Sequence, residues 1–184
     1  MLIGQDEAIA TFDTALSAER MHHGWLLCGP RGIGKASFAL AASHALLTGR
    51  DRIGAEAGDA VQRRIAEGNE PRLTRIARRM NDKTGKLRVQ IDVEQIRDLR
   101  AALTLSAGAG EWRCVVVDAA EEMNPSAANA LLKLLEEPPE RVIFFLVTHA
   151  PGRLLPTIRS RCRVLDFRPL DDDALAISTG TATT

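Results

Sequence analysis

Gly29-Pro30-Arg31-Gly32-Ile33-Gly34-Lys35-Ala36 decides how the rest of this chain is read. It fits the pattern G-x-x-x-x-G-K, follows the apolar run Gly24-Trp25-Leu26-Leu27-Cys28, and opens an Ala- and Leu-rich stretch from Lys35 to Leu47. Strand, glycine loop and helix in that order are the context of a phosphate-binding loop. Its glycines (Gly29, Gly32, Gly34) let backbone N–H groups turn toward phosphate, and the helix start adds partial positive charge. Lys35 is the candidate to reach the terminal phosphates. The plainer reading, a glycine-rich turn with a chance lysine, does not account for the flanking strand and helix.

One position departs from the pattern. A hydrolytic loop carries Ser or Thr after the lysine, where the hydroxyl holds Mg²⁺; this sequence has Ala36. Ser37 comes one residue late, about 100° further round a helix.

Downstream, Val115-Val116-Val117-Asp118 is an apolar β-branched run ending in a carboxylate, the Walker B pattern. In parallel sheets ligands bind at the carboxyl ends of strands, so Asp118 is a second candidate site residue. The acidic residue that would orient an attacking water should follow it, and Ala119 stands there. Glu121 and Glu122 read as solvated carboxylates on the next loop. Loss of the metal-holding hydroxyl and the water-positioning carboxylate costs roughly 10²-fold or more each. Such a site keeps weak ATP or ADP binding without turnover, and no cofactor is required.

Elsewhere apolar spacing alternates between strand and helix. Helices are expected over Asp6–Ala18, Lys35–Leu47, Asp92–Leu105, Pro125–Leu135 and Leu154–Arg159, with Asn124 as an N-cap and Pro138-Pro139 as a stop. Strands are expected at Gly24–Cys28, Arg72–Ala77, Cys114–Val117, Val142–Val147 and Val164–Phe167, and a turn or exposed loop at Asn81–Lys86. Thr48–Gly68 reads as a polar insertion. This alternation predicts an α/β fold, a parallel sheet with helices on both faces.

Composition excludes several classes. Lysines plus arginines equal aspartates plus glutamates at 24 each, so nucleic-acid contact would need a local patch. No run is long enough for a membrane span and the polar start is not a signal peptide, which makes the cytoplasm the expected location. Cys28, Cys114 and Cys162 lie far apart and form neither a disulfide framework nor a zinc set. His22 and His23 are adjacent and on a helix or strand would diverge, so no metal site is expected.

Two further runs carry a resemblance. Asn129-Ala130-Leu131-Leu132-Lys133-Leu134-Leu135-Glu136-Glu137-Pro138-Pro139, preceded by Met123-Asn124-Pro125-Ser126-Ala127-Ala128, and Thr157-Ile158-Arg159-Ser160-Arg161-Cys162 are similar to bacterial clamp-loader subunits. With the phosphate loop and Ile3-Gly4-Gln5, nearly the whole chain resembles the delta-prime subunits of DNA polymerase III, members of the AAA+ P-loop class. The resemblance implies an AAA+ domain over residues 1–168, with 169–184 as the start of a lid domain or a tail. It implies a subunit without ATPase activity of its own inside a DNA-directed DNA polymerase holoenzyme, a nucleotidyltransferase as a complex. Its partners would be gamma/tau and delta subunits, the sliding clamp and primer-template DNA, with no membrane. Arg161 would serve as an arginine finger in a neighbour's ATP site, and Thr148 would occupy a polar sensor position. The four-cysteine zinc module of some relatives has no counterpart in residues 48–72. The alternatives are a hydrolysing gamma/tau-type subunit, which needs Ser or Thr at 36 and Glu at 119, and a P-loop phosphotransferase, which would not explain Ser160-Arg161-Cys162.

Overall fold

The computed structural model describes residues 4–18, 20–54, 58–81, 83–105 and 110–169. Ile3 lies outside them, as does the expected lid or tail from Leu170 onward.

Five strands form one all-parallel sheet: β1 (Gly24–Cys28), β2 (Leu73–Ile76), β3 (Arg113–Asp118), β4 (Val142–Thr148) and β5 (Arg163–Asp166). Their order across the sheet is β2-β3-β4-β1-β5. The central position of β1 and β4 follows from sequence, since both are buried along their whole length. Strands hidden on both faces read as continuous apolar runs.

The period-2 pleat sorts those side chains into two cores. Leu26, Val115, Val117, Phe144 and Leu146 face one way. They pack under α4 (Val93–Leu105) and α5 (Pro125–Glu136), which contribute Ile96, Leu99, Leu131 and Leu135. Trp25, Leu27, Val116 and Phe145 face the other way, against α1 (Asp6–Ser17) and α2 (Lys35–Leu47). Phe12 sits at the hub of that side, 5.1 Å from Trp25 and 5.7 Å from Phe38 between ring centroids. Each fully buried side chain of this size contributes about 1.5–3 kcal/mol over an exposed one.

Local signals set the helix ends. Asn124 Oδ1 accepts from Ala127 N at 2.8 Å and Pro125 occupies the first helical position of α5. In the polar insertion, Asp59 caps α3 (Ala60–Glu67) by accepting from Gln62 N at 2.7 Å. Polar contacts tie this insertion down: His44 Nε2 and Arg50 Nη2 each lie 2.8 Å from Asp59 Oδ2. The Glu70 side chain, 1% exposed, is gripped by Arg64 at 2.8 Å and Arg72 at 2.9 Å.

Two expectations need correction. The helix expected over Leu154–Arg159 is one turn, α6 (Pro156–Arg159), because Pro156 holds the residue before it in extended backbone. A 3₁₀ turn at Pro151–Arg153 precedes it. The rings of His22 and His23 do not diverge but stack at 4.4 Å, since the pair lies in an irregular link before β1. Cys28 and Cys114 are both buried.

Candidate functional site

The glycine loop joins the carboxyl end of β1 to the start of α2. At Gly29 (φ +148°) a Cβ would lie 2.4 Å from the Phe167 carbonyl oxygen, so no other residue fits. The close approach arises because the chain leaving β5 runs alongside, with Phe167 N donating to Cys28 O at 2.7 Å. Gly34 takes the left-handed conformation as N-cap of α2 (φ +93°), and no side chain caps the helix there. Uncapped N–H groups at a helix start are the kind of element that binds anions.

Lys35 is 3% exposed. Its Nζ donates to Gly29 O at 2.7 Å and to Pro30 O, so the ammonium folds over its own loop. Burial holds it below the usual lysine range, against the upward pull of Glu121 and then Asp118. A cavity of about 350 Å³ opens beside it, bordered by Arg31, Lys35, Ala36, Asp118 and His149 among others. Ser37 borders this cavity too, although its helical position turns it away from the Ala36 direction.

The loop after β3 departs from the sequence reading. Glu121 is 9% exposed, not solvated, because the 3₁₀ turn Ala120–Glu122 aims it inward. Its Oε1 accepts from His149 N at 3.0 Å, and its Oε2 is buried with no hydrogen-bond partner among the described residues. Glu122 is not free either: Arg78 Nε lies 2.7 Å from Oε2 and Arg31 Nη2 lies 3.4 Å from Oε1. His149 Nδ1 is likewise buried and unpartnered, and burial followed by the Lys35 charge holds the ring below the usual histidine range. His149 borders the cavity and Glu121 holds its backbone from behind, and sequence reasoning missed both. The one available signal was an acidic residue set among Ala119, Ala120 and Met123, all apolar and buried.

Thr148 is fully buried and its Oγ1 accepts from Ala150 N at 3.2 Å. It does not border the cavity; Val147 and His149 on either side of it do. Gly32, Gly34, Lys35 and Asp118 do converge there, whereas Gly29 is turned toward Phe167.

These residues fit a phosphate chain but not its metal. Ala36 offers a methyl where an oxygen ligand is needed. Among the described residues, no group of three or more His, Cys, Asp or Glu side chains is placed to hold a metal ion.

Arg161 is at the other end of the sheet. It lies in the turn between α6 and β5, and its carbonyl oxygen stands 3.3 Å from where a Cβ on Gly24 would be. Gly24 begins β1 and the glycine loop follows its last residue. Five residues of strand at about 3.3 Å each separate the two by roughly 16 Å. The guanidinium donates to Thr157 O at 3.1 Å and pairs with Glu136 at 2.8 Å, leaving the side chain 35% exposed. Arg159 and Arg163 flank it, but Arg163 also lies over the Trp25 ring at 5.2 Å.

Comparison with known proteins gives consistent results. The family described as "DNA polymerase III, delta subunit" matches residues 4–171. The DNA polymerase III subunit delta' of Pseudomonas aeruginosa is 38% identical over 141 residues, 76% of this chain and 41% of that one. The tau subunit of Bacillus subtilis is 30% identical over 175 residues, 95% of this chain and 30% of that one. Among solved structures, a DNA polymerase III gamma subunit-related protein from Thermotoga maritima superposes with a TM-score of 0.63 at 22% identity, over 90% of this chain and 47% of that one. The chain thus spans less than half the length of each of these relatives.

Proposed function

Because this chain belongs to the DNA polymerase III delta-subunit family, we propose that it is a delta-prime-type clamp-loader subunit that donates Arg161 to a neighbour's ATP site and does not hydrolyse ATP itself. It would work in the cytoplasm with gamma/tau and delta subunits to place a sliding clamp on primer-template DNA.

The observation that carries this reading is the separation between arginine and glycine loop. An arginine side chain reaches only about half of the roughly 16 Å along β1, so Arg161 cannot serve the loop of its own chain. It stands half-exposed on the surface, where a second molecule can meet it. A planar, always-charged guanidinium suits the stabilisation of a phosphoryl group in transit.

This chain's own residues support the non-hydrolysing half. Ala36 cannot hold a metal, Ala119 cannot orient water, and Lys35 is engaged by the carbonyls of Gly29 and Pro30. Glu121 has an oxygen without a hydrogen-bond partner among the described residues and acts on the Lys35 charge, but with no metal ligand at 36 a carboxylate alone does not complete a hydrolytic site.

A hydrolysing gamma/tau-type role is the second reading, favoured by the tau match over 95% of this chain. Phosphate release by the isolated protein separates the two. The Arg161 role is tested by alanine substitution in a reconstituted loader.

A further inference from the structure

Between β2 and α4 the chain leaves the carboxyl edge of the sheet and folds into a two-stranded ribbon. Met80 and Leu87 form an antiparallel bridge. Asn81 N donates to Lys86 O at 2.8 Å and Arg88 N to Arg79 O at 2.9 Å. The tip is closed by Asn81 Oδ1, which accepts from Lys83 N at 2.9 Å, and by Gly85 N donating to Asn81 O at 2.8 Å. Two ion pairs anchor its base: Arg78 to Glu122 at 2.7 Å, and Arg88 to Asp92 at 2.6 Å. The ribbon is therefore a built element on a fixed footing.

Its composition is lopsided in a chain whose formal net charge is zero. From Arg75 to Arg88 there are six lysines and arginines against the single carboxylate of Asp82. Arg79, Lys83 and Lys86 are exposed and have no ion-pair partner among the described residues. Met80 is 56% exposed, Leu87 49% and Val89 83%.

We propose that this ribbon seats against the sugar-phosphate backbone of duplex DNA, independently of sequence, through Arg79, Lys83 and Lys86. That the polyanion is DNA rests on the clamp-loader reading; the ribbon's preference for a polyanion does not. A duplex presents about one charge per 1.7 Å of its axis, a spacing several unpaired cations on one short element can match together. A two-stranded ribbon also has the width to enter a major groove, about 12 Å across. The exposed aliphatic area is confined to three side chains, too little to hold the ribbon in a lipid surface. Through Glu122, the ribbon's base also touches Arg31 of the glycine loop, so the DNA-binding ribbon and the phosphate-loop cavity share one ion-pair chain.

The test is fluorescence anisotropy of this chain with a labelled mixed-sequence duplex of roughly 20 base pairs across a salt series. The protein should bind at low salt, with log affinity falling linearly in log salt. Replacing Arg79, Lys83 and Lys86 together by alanine should weaken binding at least tenfold and flatten that slope by close to three, about 0.9 for each phosphate no longer neutralised. A control triple, Arg20→Ala, Arg52→Ala and Arg63→Ala, exposed residues of the α1–α3 region, should stay within twofold of the parent. Arg161→Ala should also leave DNA affinity unchanged, which separates failure of this idea from failure of the finger. Circular-dichroism melting verifies folding, since all three ribbon side chains are exposed. No binding by the parent, equal weakening in both triples, an unchanged slope, or stronger binding to phosphatidylglycerol vesicles than to DNA would each overturn the proposal.

Discussion

Arg161 Nη2 lies 2.8 Å from Glu136 Oε1, which joins the turn before β5 to the last residue of α5. Glu136 belongs to the run Leu134-Leu135-Glu136-Glu137-Pro138-Pro139 and Arg161 to Ser160-Arg161-Cys162. The two segments that carry the family resemblance therefore meet in one ion pair. Its side chains are 35% and 41% exposed, so it orients the guanidinium more than it stabilises the fold.

Glu136→Gln should accordingly shift stability by about 1 kcal/mol or less. For a chain of this size that is a fall in Tm of no more than about 2–4 °C. Thermal unfolding followed by circular dichroism checks it. A much larger fall would mean that the pair is structural, which would weaken the case for Arg161 as a donated group.

The isolated protein should release no phosphate from Mg²⁺-ATP above background, because Ala36 and Ala119 remove two required groups. Turnover near 1 s⁻¹, the low end of ordinary enzymes, that disappears in Lys35→Ala would contradict this and favour the gamma/tau-type reading.

Two glycines of the loop should respond very differently to alanine. Gly32 has φ +80° and nothing within 4 Å of an added Cβ, so Gly32→Ala should cost about 1–2 kcal/mol of backbone strain. Gly29→Ala adds a 2.4 Å clash with the Phe167 backbone and should cost clearly more, disturbing the packing of β1 on β5. Urea unfolding of both variants gives the comparison, and equal costs would contradict it.

Glu70 should make the fold acid-sensitive. Burial pushes its carboxyl up, but hydrogen bonds from Arg72 and Arg64, with the charge of Arg72, outweigh burial and hold it below the ordinary value of 4.5. A depressed folded value means the contribution is complete above that ordinary value and is lost as pH falls through the lower, folded one. Glu70→Gln should destabilise by about 2 kcal/mol at neutral pH and remove part of the pH dependence below 4.5. Urea unfolding of both proteins between pH 3 and 7 measures this, and parallel pH curves would refute it.

Most of the scaffold was legible because its signals are local. The apolar runs at Gly24–Cys28 and Val142–Thr148 are continuous since both strands are covered on both faces. Asn124-Pro125 and Pro138-Pro139 bound α5 through capping and ring sterics, which depend on neighbours alone. What stayed hidden depends on direction and distance. The inward aim of Glu121 is set by a three-residue turn, and the cavity position of His149 rather than Thr148 by the pleat at the end of β4. The Arg161–Glu136 pair joins residues 25 positions apart, and the stack of Arg163 on Trp25 crosses from one strand to another. That stack also makes Arg163 a poor control for Arg161, since its removal takes away an aromatic partner; Arg159 remains suitable.

The central claim is that Arg161 acts on a neighbour's nucleotide, and one assay addresses it directly. This chain, grafted in place of the matching segment of the Pseudomonas aeruginosa delta' relative and reconstituted with gamma/tau and delta subunits, provides the reference DNA- and clamp-stimulated ATPase rate. Arg161→Ala should lower turnover at the one site it serves by roughly 10³-fold, as expected for loss of an arginine finger, and so remove that site's share of the total rate. Arg161→Lys should rescue poorly, because lysine keeps the charge without the fork, and Arg159→Ala should leave the rate near the reference. An ATPase rate unchanged in Arg161→Ala, or lowered equally by Arg159→Ala, would contradict the account.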